Sequence, residues 1–324
     1  MPALPAPIED RKRFLVIIPA LAAAAAAFIA WRVSRAEKEH PPRGRFVEVD
    51  GVRLHYIDRG SGPPVVLLHG LGVMSEDFEL SGLVSEAAAT HRVIAFDRPG
   101  HGYSERPRGR LWTPIAQARL IRNALRKLGV ERPIVLGHSW GSLVAVSLAL
   151  EYPEDVRSLV LLSGCYFPSL RLDAPFLSIP AIPLIGDLMR FTLSPLIGRL
   201  LWPLSEKLLF SPAAVTPQFR RFPAWLALRP RALRASAAES ALTVPVAFAM
   251  RARYRELSVP TYIVAGADDR YVSAERHSAR LHDEVKGSHL RLAPGAGHMV
   301  HHVAPYDVMA ALAAAARAPL AAFG

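Results

Sequence analysis

Cysteine is almost missing from this chain of 324 residues: Cys165 stands alone. One cysteine cannot form an internal disulfide, so the fold must rest on its core. No Cys/His pair has zinc spacing, and neither a metal nor a cofactor is expected. No internal repeat is visible. Charge is also sparse, at 21% of residues against 51% hydrophobic, which excludes a disordered chain. The net charge of +11 comes with no recognition motif for nucleic acid, so no nucleic-acid partner is expected.

Long runs without a single polar side chain are scarce too, with one exception. "FLVIIPALAAAAAAFIAW", Phe14 to Trp31, carries no charge over 18 residues and follows Arg11, Lys12 and Arg13. As a helix rising about 1.5 Å per residue it just spans a hydrocarbon core about 30 Å thick. We read it as a membrane anchor behind a tail of residues 1–13. A signal peptide cleaved near Ala25 and Ala27 is the alternative, which would mean secretion. Pro19 is placed in the first turns of this helix, where proline is tolerated best. Three basic residues precede the run and five follow it (Arg32, Arg35, Lys38, Arg43, Arg45), so charge does not orient it. Residues 32–45 read as a polar linker.

Beyond the linker, "FVEVDGVRLHYID" reads as a hairpin turning at Asp50-Gly51. Then come continuous apolar runs of strand length: "PPVVLLHG", "HRVIAFD", "RPIVLGH", "VRSLVLLSG" and "VPTYIVAG". Such runs suit strands buried on both faces. Helical patterns, such as 114–128 and 140–151, lie between most of them, which predicts a mostly parallel sheet flanked by crossover helices. Between Tyr166 and Glu256 the rhythm stops. That interval holds 11 of the 28 prolines and short apolar helical segments. We read it as a helical lid, residues 166–256, inserted after the sixth strand into a core of residues 46–165 and 257–316.

"GHSWG" sets Ser139 between Gly137 and Gly141, where a strand pattern gives way to a helix pattern. A tight, strained turn there would lift the hydroxyl into the open. The helix that follows would aim its positive end and the Trp140 N–H at charge developing on a bound carbonyl. A serine hydroxyl is a poor nucleophile, so it needs a base, and the base needs an acid to hold its tautomer. "GAGHMVHH" offers His298 in a glycine-bounded loop, with His301 and His302 read as solvated loop residues. "VAGADDRYVS" offers Asp268 and Asp269 after a buried strand. "LLHGLG" leaves another strand, and its Leu71 N–H is the second candidate oxyanion donor. His69 is read as structural, as is the turn from Asp97 to Ser104.

From about 46 to 316 the chain resembles an α/β-hydrolase of the large esterase, lipase and peptidase group. "HGLG", "DRPGHGYS", "GHSWGS", "YPEDVRSLVLLSG", "GADDRYVS" and "GAGHMVHH" fall in that family's order. The resemblance implies a Ser139–His298–acid triad, and the acid usually stands three residues past the glycine, which selects Asp269 over Asp268. Serine at 139 speaks against dehalogenases and epoxide hydrolases, whose relatives attack with a carboxylate. "SWGS" is also similar to proline iminopeptidases, which need lid carboxylates for a substrate's amino group. Here the lid carries twelve Lys/Arg against five acids: Asp173, Asp187, Glu206, Glu239 and Glu256. The expected function is therefore an esterase or lipase acting on a lipophilic acyl ester. The N-terminal helix is expected to hold it at a membrane, with the basic, apolar lid as a second membrane contact. An iminopeptidase and a non-catalytic binding protein are the alternatives.

Overall fold

Eight runs rich in valine, leucine and isoleucine form one sheet. They are β1 (Arg45–Val49), β2 (Val52–Arg59), β3 (Pro64–Leu68), β4 (Arg92–Phe96), β5 (Ile134–His138), β6 (Ser158–Leu162), β7 (Thr261–Gly266) and β8 (His289–Ala293). The computed structural model describes residues 8–169 and 174–319. Residues 1–7 of the expected tail, 170–173 of the expected lid with its Arg171 and Asp173, and 320–324 lie outside the described residues.

The strand order is β1-β2-β4-β3-β5-β6-β7-β8. β1 and β2 form the expected hairpin, with Asp50 at φ 51° and Gly51 at φ 70°, the positive pair a two-residue turn needs. β2 runs antiparallel to β4, and every later pairing is parallel. β3 lies between β4 and β5, so the chain leaves β3 one way and returns for β5 on the other side. In sheets of this kind ligands bind beyond the carboxyl ends of the strands at such a reversal, here β3 and β5.

Val65 to Leu68, Val93 to Phe96 and Ile134 to Leu136 are fully buried because helices cover both faces. One face packs Val66, Leu68, Ile94 and Val135 against helices Pro114–Lys127 and Trp140–Glu151. The other packs Val65, Leu67, Leu136 and Val264 against helices Leu83–Ala87 and Pro305–Arg317.

Between β6 and β7 the described residues hold no strand. They form helices Ala174–Ser178, Ile185–Phe191, Ser194–Phe210, Ala224–Ala227 and Pro230–Met250.

The N-terminal segment departs from expectation. One helix runs Ile8–Glu39, so Pro19 lies inside it and not in its first turns. The expected linker from 32 is helical as far as Glu39, because alanine, arginine, lysine and glutamate all favour helix. Arg35 also donates to Glu39 one turn on, at 2.7 Å. This last stretch docks onto the body. Ala36 is buried, Glu37 pairs with Arg229 at 2.7 Å, and the His40 carbonyl accepts from the Tyr103 hydroxyl.

Candidate active site

β5 ends at His138, and helix Trp140–Glu151 begins two residues later, so Ser139 must reverse the chain alone. It does so at φ 53° and ψ −117°, a conformation that costs a non-glycine residue on the order of 1–3 kcal/mol. The neighbours over-determine it. A Cβ on Gly141 would lie 2.0 Å from the Leu68 carbonyl oxygen, so only glycine lets the helix start against β3. The Ser139 N–H is anchored to the Leu162 carbonyl at 2.8 Å.

Residues distant in sequence converge on that hydroxyl. His298 Nε2 stands 3.0 Å from Ser139 Oγ, and His298 Nδ1 stands 2.8 Å from Asp269 Oδ2. The other oxygen, Asp269 Oδ1, accepts from the N–H groups of Tyr271 at 2.8 Å and Val272 at 2.9 Å. Those two bonds fix the carboxylate plane, which in turn fixes the imidazole tautomer with its proton on Nδ1. Asp268 takes no part. Its carboxylate accepts from the Gly295 N–H at 2.8 Å, and it lies on the exposed side of the loop.

The loop after β3 closes the other side. A Cβ on Gly70 would sit 3.2 Å from Ser139 Cβ, so this glycine's backbone lies directly against the serine. Leu71 follows it, and Trp140 opens the helix. Trp140 is thus the chain neighbour of Ser139, and Leu71 follows the glycine that lies against it.

Both ring nitrogens of His69 are taken up by hydrogen bonds within the fold. The ring accepts from the Arg98 N–H at 2.9 Å and donates through Nδ1 to the Gly70 carbonyl at 2.7 Å. Burial, then the Arg98 charge, holds its pKa well below the ordinary imidazole value. The Asp97 turn is held within the fold as well. Its carboxylate takes bonds from Ser75, Tyr103 and His55, at 2.6 to 2.9 Å.

Other features were not anticipated. His301 and His302 are buried, not solvated, because both donate from Nε2 to the two oxygens of Asp77, at 2.9 and 2.8 Å. Burial alone would raise the Asp77 carboxyl, but the opposing rings outweigh it and hold its pKa well below the usual range. His138, just before the serine, donates to the His298 carbonyl at 3.1 Å and so ties the base's loop to the turn. One ligand atom each from Asp77, His138 and His301 falls within 4.8 Å of the others, a donor set that suits a metal ion, although both Asp77 oxygens already have partners.

Glu239 of helix Pro230–Met250 is wholly buried and grips Arg98 through both oxygens, at 2.7 and 3.0 Å. Arg98 donates onward to the carbonyls of His69 and Gly70, at 2.7 and 2.9 Å. This network bolts the insertion to the loop beside Ser139. Its partners lie 141 residues apart, and only the paired burial of opposite charges could have signalled it.

Ser139 itself is only 7% exposed. A surface cavity of about 320 Å³ lies between Arg122, Pro133 and Asp155, and a second lies beside Arg251 and Glu284. Neither touches the serine.

The sequence pattern of the alpha/beta hydrolase fold matches residues 63–305, more than half of the chain. The chain belongs to the α/β-hydrolase fold family. Among curated relatives, an uncharacterized protein of Mycobacterium tuberculosis is 28% identical over 281 residues, 82% of this chain and 78% of that one. A 2-hydroxymuconate semialdehyde hydrolase of Pseudomonas putida is 37% identical over 138 residues, covering 41% of this chain and 48% of that enzyme. Solved structures of similar fold include a hydrolase from Pseudomonas aeruginosa PA01 (TM-score 0.70, 24% identity, 86% of this chain and 100% of that one). A membrane phospholipase A (TM-score 0.61, 22% identity, 96% of this chain and 100% of that one) is another. At these identities the structural likeness is one of fold. Hydrolases recur in both sets and esterases among the solved structures, which supports a hydrolase of that superfamily.

Proposed function

We propose that this hydrolase cleaves acyl esters with an apolar chain through an acyl-enzyme, while its N-terminal helix holds it at a membrane. The observation that carries the reading is the unbroken line from Ser139 Oγ through His298 to Asp269. His298 Nε2 takes the hydroxyl proton as Oγ attacks the ester carbonyl, and Asp269 stabilises the imidazolium that forms. The carbonyl π-electrons move onto oxygen, which the N–H groups of Trp140 and Leu71 receive. When the tetrahedral adduct collapses, His298 returns the proton to the departing alkoxide, leaving an acyl group on Ser139. Water, deprotonated by His298, then attacks that acyl group, and as the bond to Oγ breaks His298 returns the proton to Ser139 and the acid leaves.

An amine-recognising peptidase is disfavoured by the insertion's own carboxylates. Among the described residues, Asp187 pairs with Arg190, Glu206 accepts from Trp202 at 2.5 Å, Glu239 grips Arg98 and Glu256 pairs with Arg253 at 3.2 Å. None of these acids is left to hold a substrate ammonium. A binding protein without catalysis would have no use for the strained Ser139 turn.

The apolar stretch of the N-terminal helix has a mean hydropathy of 1.7 over its best 18 residues, and only 6% of that window is buried, unlike a core helix. Exposed apolar surface of that length is satisfied by lipid.

The test is kcat/KM for p-nitrophenyl acetate, butyrate and octanoate beside proline p-nitroanilide. Each buried methylene contributes about 0.8 kcal/mol, roughly fourfold at most. Octanoate should exceed acetate strongly. Preference for acetate, or for the proline amide, overturns the reading.

A further inference from the structure

Soluble domains bury the apolar stripe of a helix and turn its polar face to water. Helix Ser194–Phe210 leaves a stripe of apolar side chains in solvent. Leu193, Ile197, Leu200, Leu201, Leu204 and Leu208 recur at three- and four-residue spacing, so they share one face, and every one is exposed, Leu200 at 79%. The preceding helix Ile185–Phe191 continues the surface with exposed Leu188 and Phe191. Among the described residues, thirteen exposed large apolar side chains lie between Phe176 and Leu208 and five on the N-terminal helix, against six elsewhere. The apolar surface is therefore concentrated on two elements, and a patch of this size on a soluble face marks an interaction site.

Those two elements touch. Helix Ile185–Phe191 contacts the N-terminal helix directly. Phe28 packs edge-on against Trp225 of the insertion, with ring centroids 6.3 Å apart, and the Arg32 guanidinium lies 5.0 Å from the Trp225 ring. Trp31, Trp225, Arg32, Arg35 and Lys38 thus gather where the N-terminal helix leaves its apolar stretch. Aromatic rings beside basic side chains are the composition of a membrane–water boundary. Exposed Lys207 borders the leucine stripe and exposed Arg199 lies farther round the same helix, in an insertion with twelve basic and five acidic residues. That balance suits anionic headgroups.

We infer that the outer face of helices Ile185–Phe191 and Ser194–Phe210 seats in the lipid bilayer, in the leaflet where the N-terminal helix emerges, with the leucine stripe in the hydrocarbon. The inference rests on the N-terminal helix being a membrane anchor, and it goes further: the insertion is itself an in-plane membrane element. Substrate acyl chains then reach the insertion from the bilayer without crossing water.

Depth measurement by spin labelling tests this on the full chain. Single cysteines replace Leu21, Leu200, Leu204 or Tyr306, each exposed, and the parent chain with only buried Cys165 serves as baseline. Each labelled protein is placed in phosphatidylcholine/phosphatidylglycerol nanodiscs holding one copy, and collision with oxygen is compared with collision with a water-soluble nickel chelate. Labels at Leu21, Leu200 and Leu204 should favour oxygen, and the label at Tyr306 should favour the chelate. A lipid signal at Leu21 with chelate-accessible Leu200 and Leu204 overturns the inference and leaves the anchor standing. Chelate access at Leu21 overturns the anchor and the inference with it. Protection of Leu200 and Leu204 only in concentrated detergent samples, not in single-copy nanodiscs, assigns the face to a second copy and also overturns the inference.

Discussion

Ser139 sits in a backbone region that serine avoids, and three neighbours hold it there: the Leu162 carbonyl on its N–H, Gly70 against its Cβ and Gly141 under the helix that follows. The base and acid are held as tightly, which separates two adjacent aspartates. Asp269→Asn should lower kcat about 10⁴-fold, because an amide in that place favours the wrong imidazole tautomer. Asp268→Asn keeps an oxygen that can accept from the Gly295 N–H, loses only an exposed charge and should cost less than tenfold. Steady-state kinetics on one ester decides between them, and the reverse ranking would move the acid to Asp268. The serine turn was legible in the sequence because its constraint is local: an apolar strand, a serine between glycines, then a helix. His301 and His302 were not. Their partner Asp77 lies 224 and 225 residues away, so nothing in "GAGHMVHH" reveals that the two rings face an acid in the core.

At the scale of elements, the wholly buried pair Glu239–Arg98 joins the insertion to the loop after β4. Glu239, on a helix of 21 residues, is the principal anion for buried Arg98 and also faces His101 and Arg106. Glu239→Gln keeps the shape and leaves buried positive charge uncompensated, which costs about 3–5 kcal/mol. For a domain this size that is a fall in Tm of roughly 6–20 °C, readable by calorimetry. Activity should fall as well, since Arg98 carries the carbonyls of His69 and Gly70 beside Ser139. An unchanged Tm would show that the pair does not hold the insertion. Sequence composition marked this stretch as basic, helical and inserted, but counted Glu239 only as one acid among five. Burial of a charge depends on a partner that periodicity does not display. The N-terminal helix shows the opposite limit: the change from apolar to charged at Arg32 reads as a linker, whereas backbone propensity carries the helix on to Glu39.

The whole molecule carries an unusual load of buried imidazoles, and it sets the response to pH. Burial lowers His69, His101, His138 and His301, and brings His277 down to about 4. In the unfolded chain each would titrate near 6.5. Below that pH the unfolded state binds protons the folded state refuses, so stability is complete above about pH 6.5 and declines as the pH falls toward the folded values. His277 alone contributes a loss of about 2 kcal/mol between pH 7.5 and pH 5. Asp77 and Glu239, whose carboxyls are depressed, add a further loss below about pH 4.5. Urea midpoints at pH 7.5, 6 and 5 should fall in that order, and a midpoint that rises toward pH 5 would contradict the burial of these rings.

The central claim is that Ser139 is the nucleophile, and intact-mass spectrometry after treatment with a fluorophosphonate tests it most directly. The reagent loses fluoride as Oγ bonds to phosphorus, so the full chain should gain one adduct per molecule. Ser139→Ala, with the same Cβ in the same turn, should fold to the same Tm and gain none, and His298→Ala should label at least 100-fold more slowly. A Ser139→Ala chain that takes up the probe at the wild-type rate, or a folded wild type that takes up none, would contradict the account.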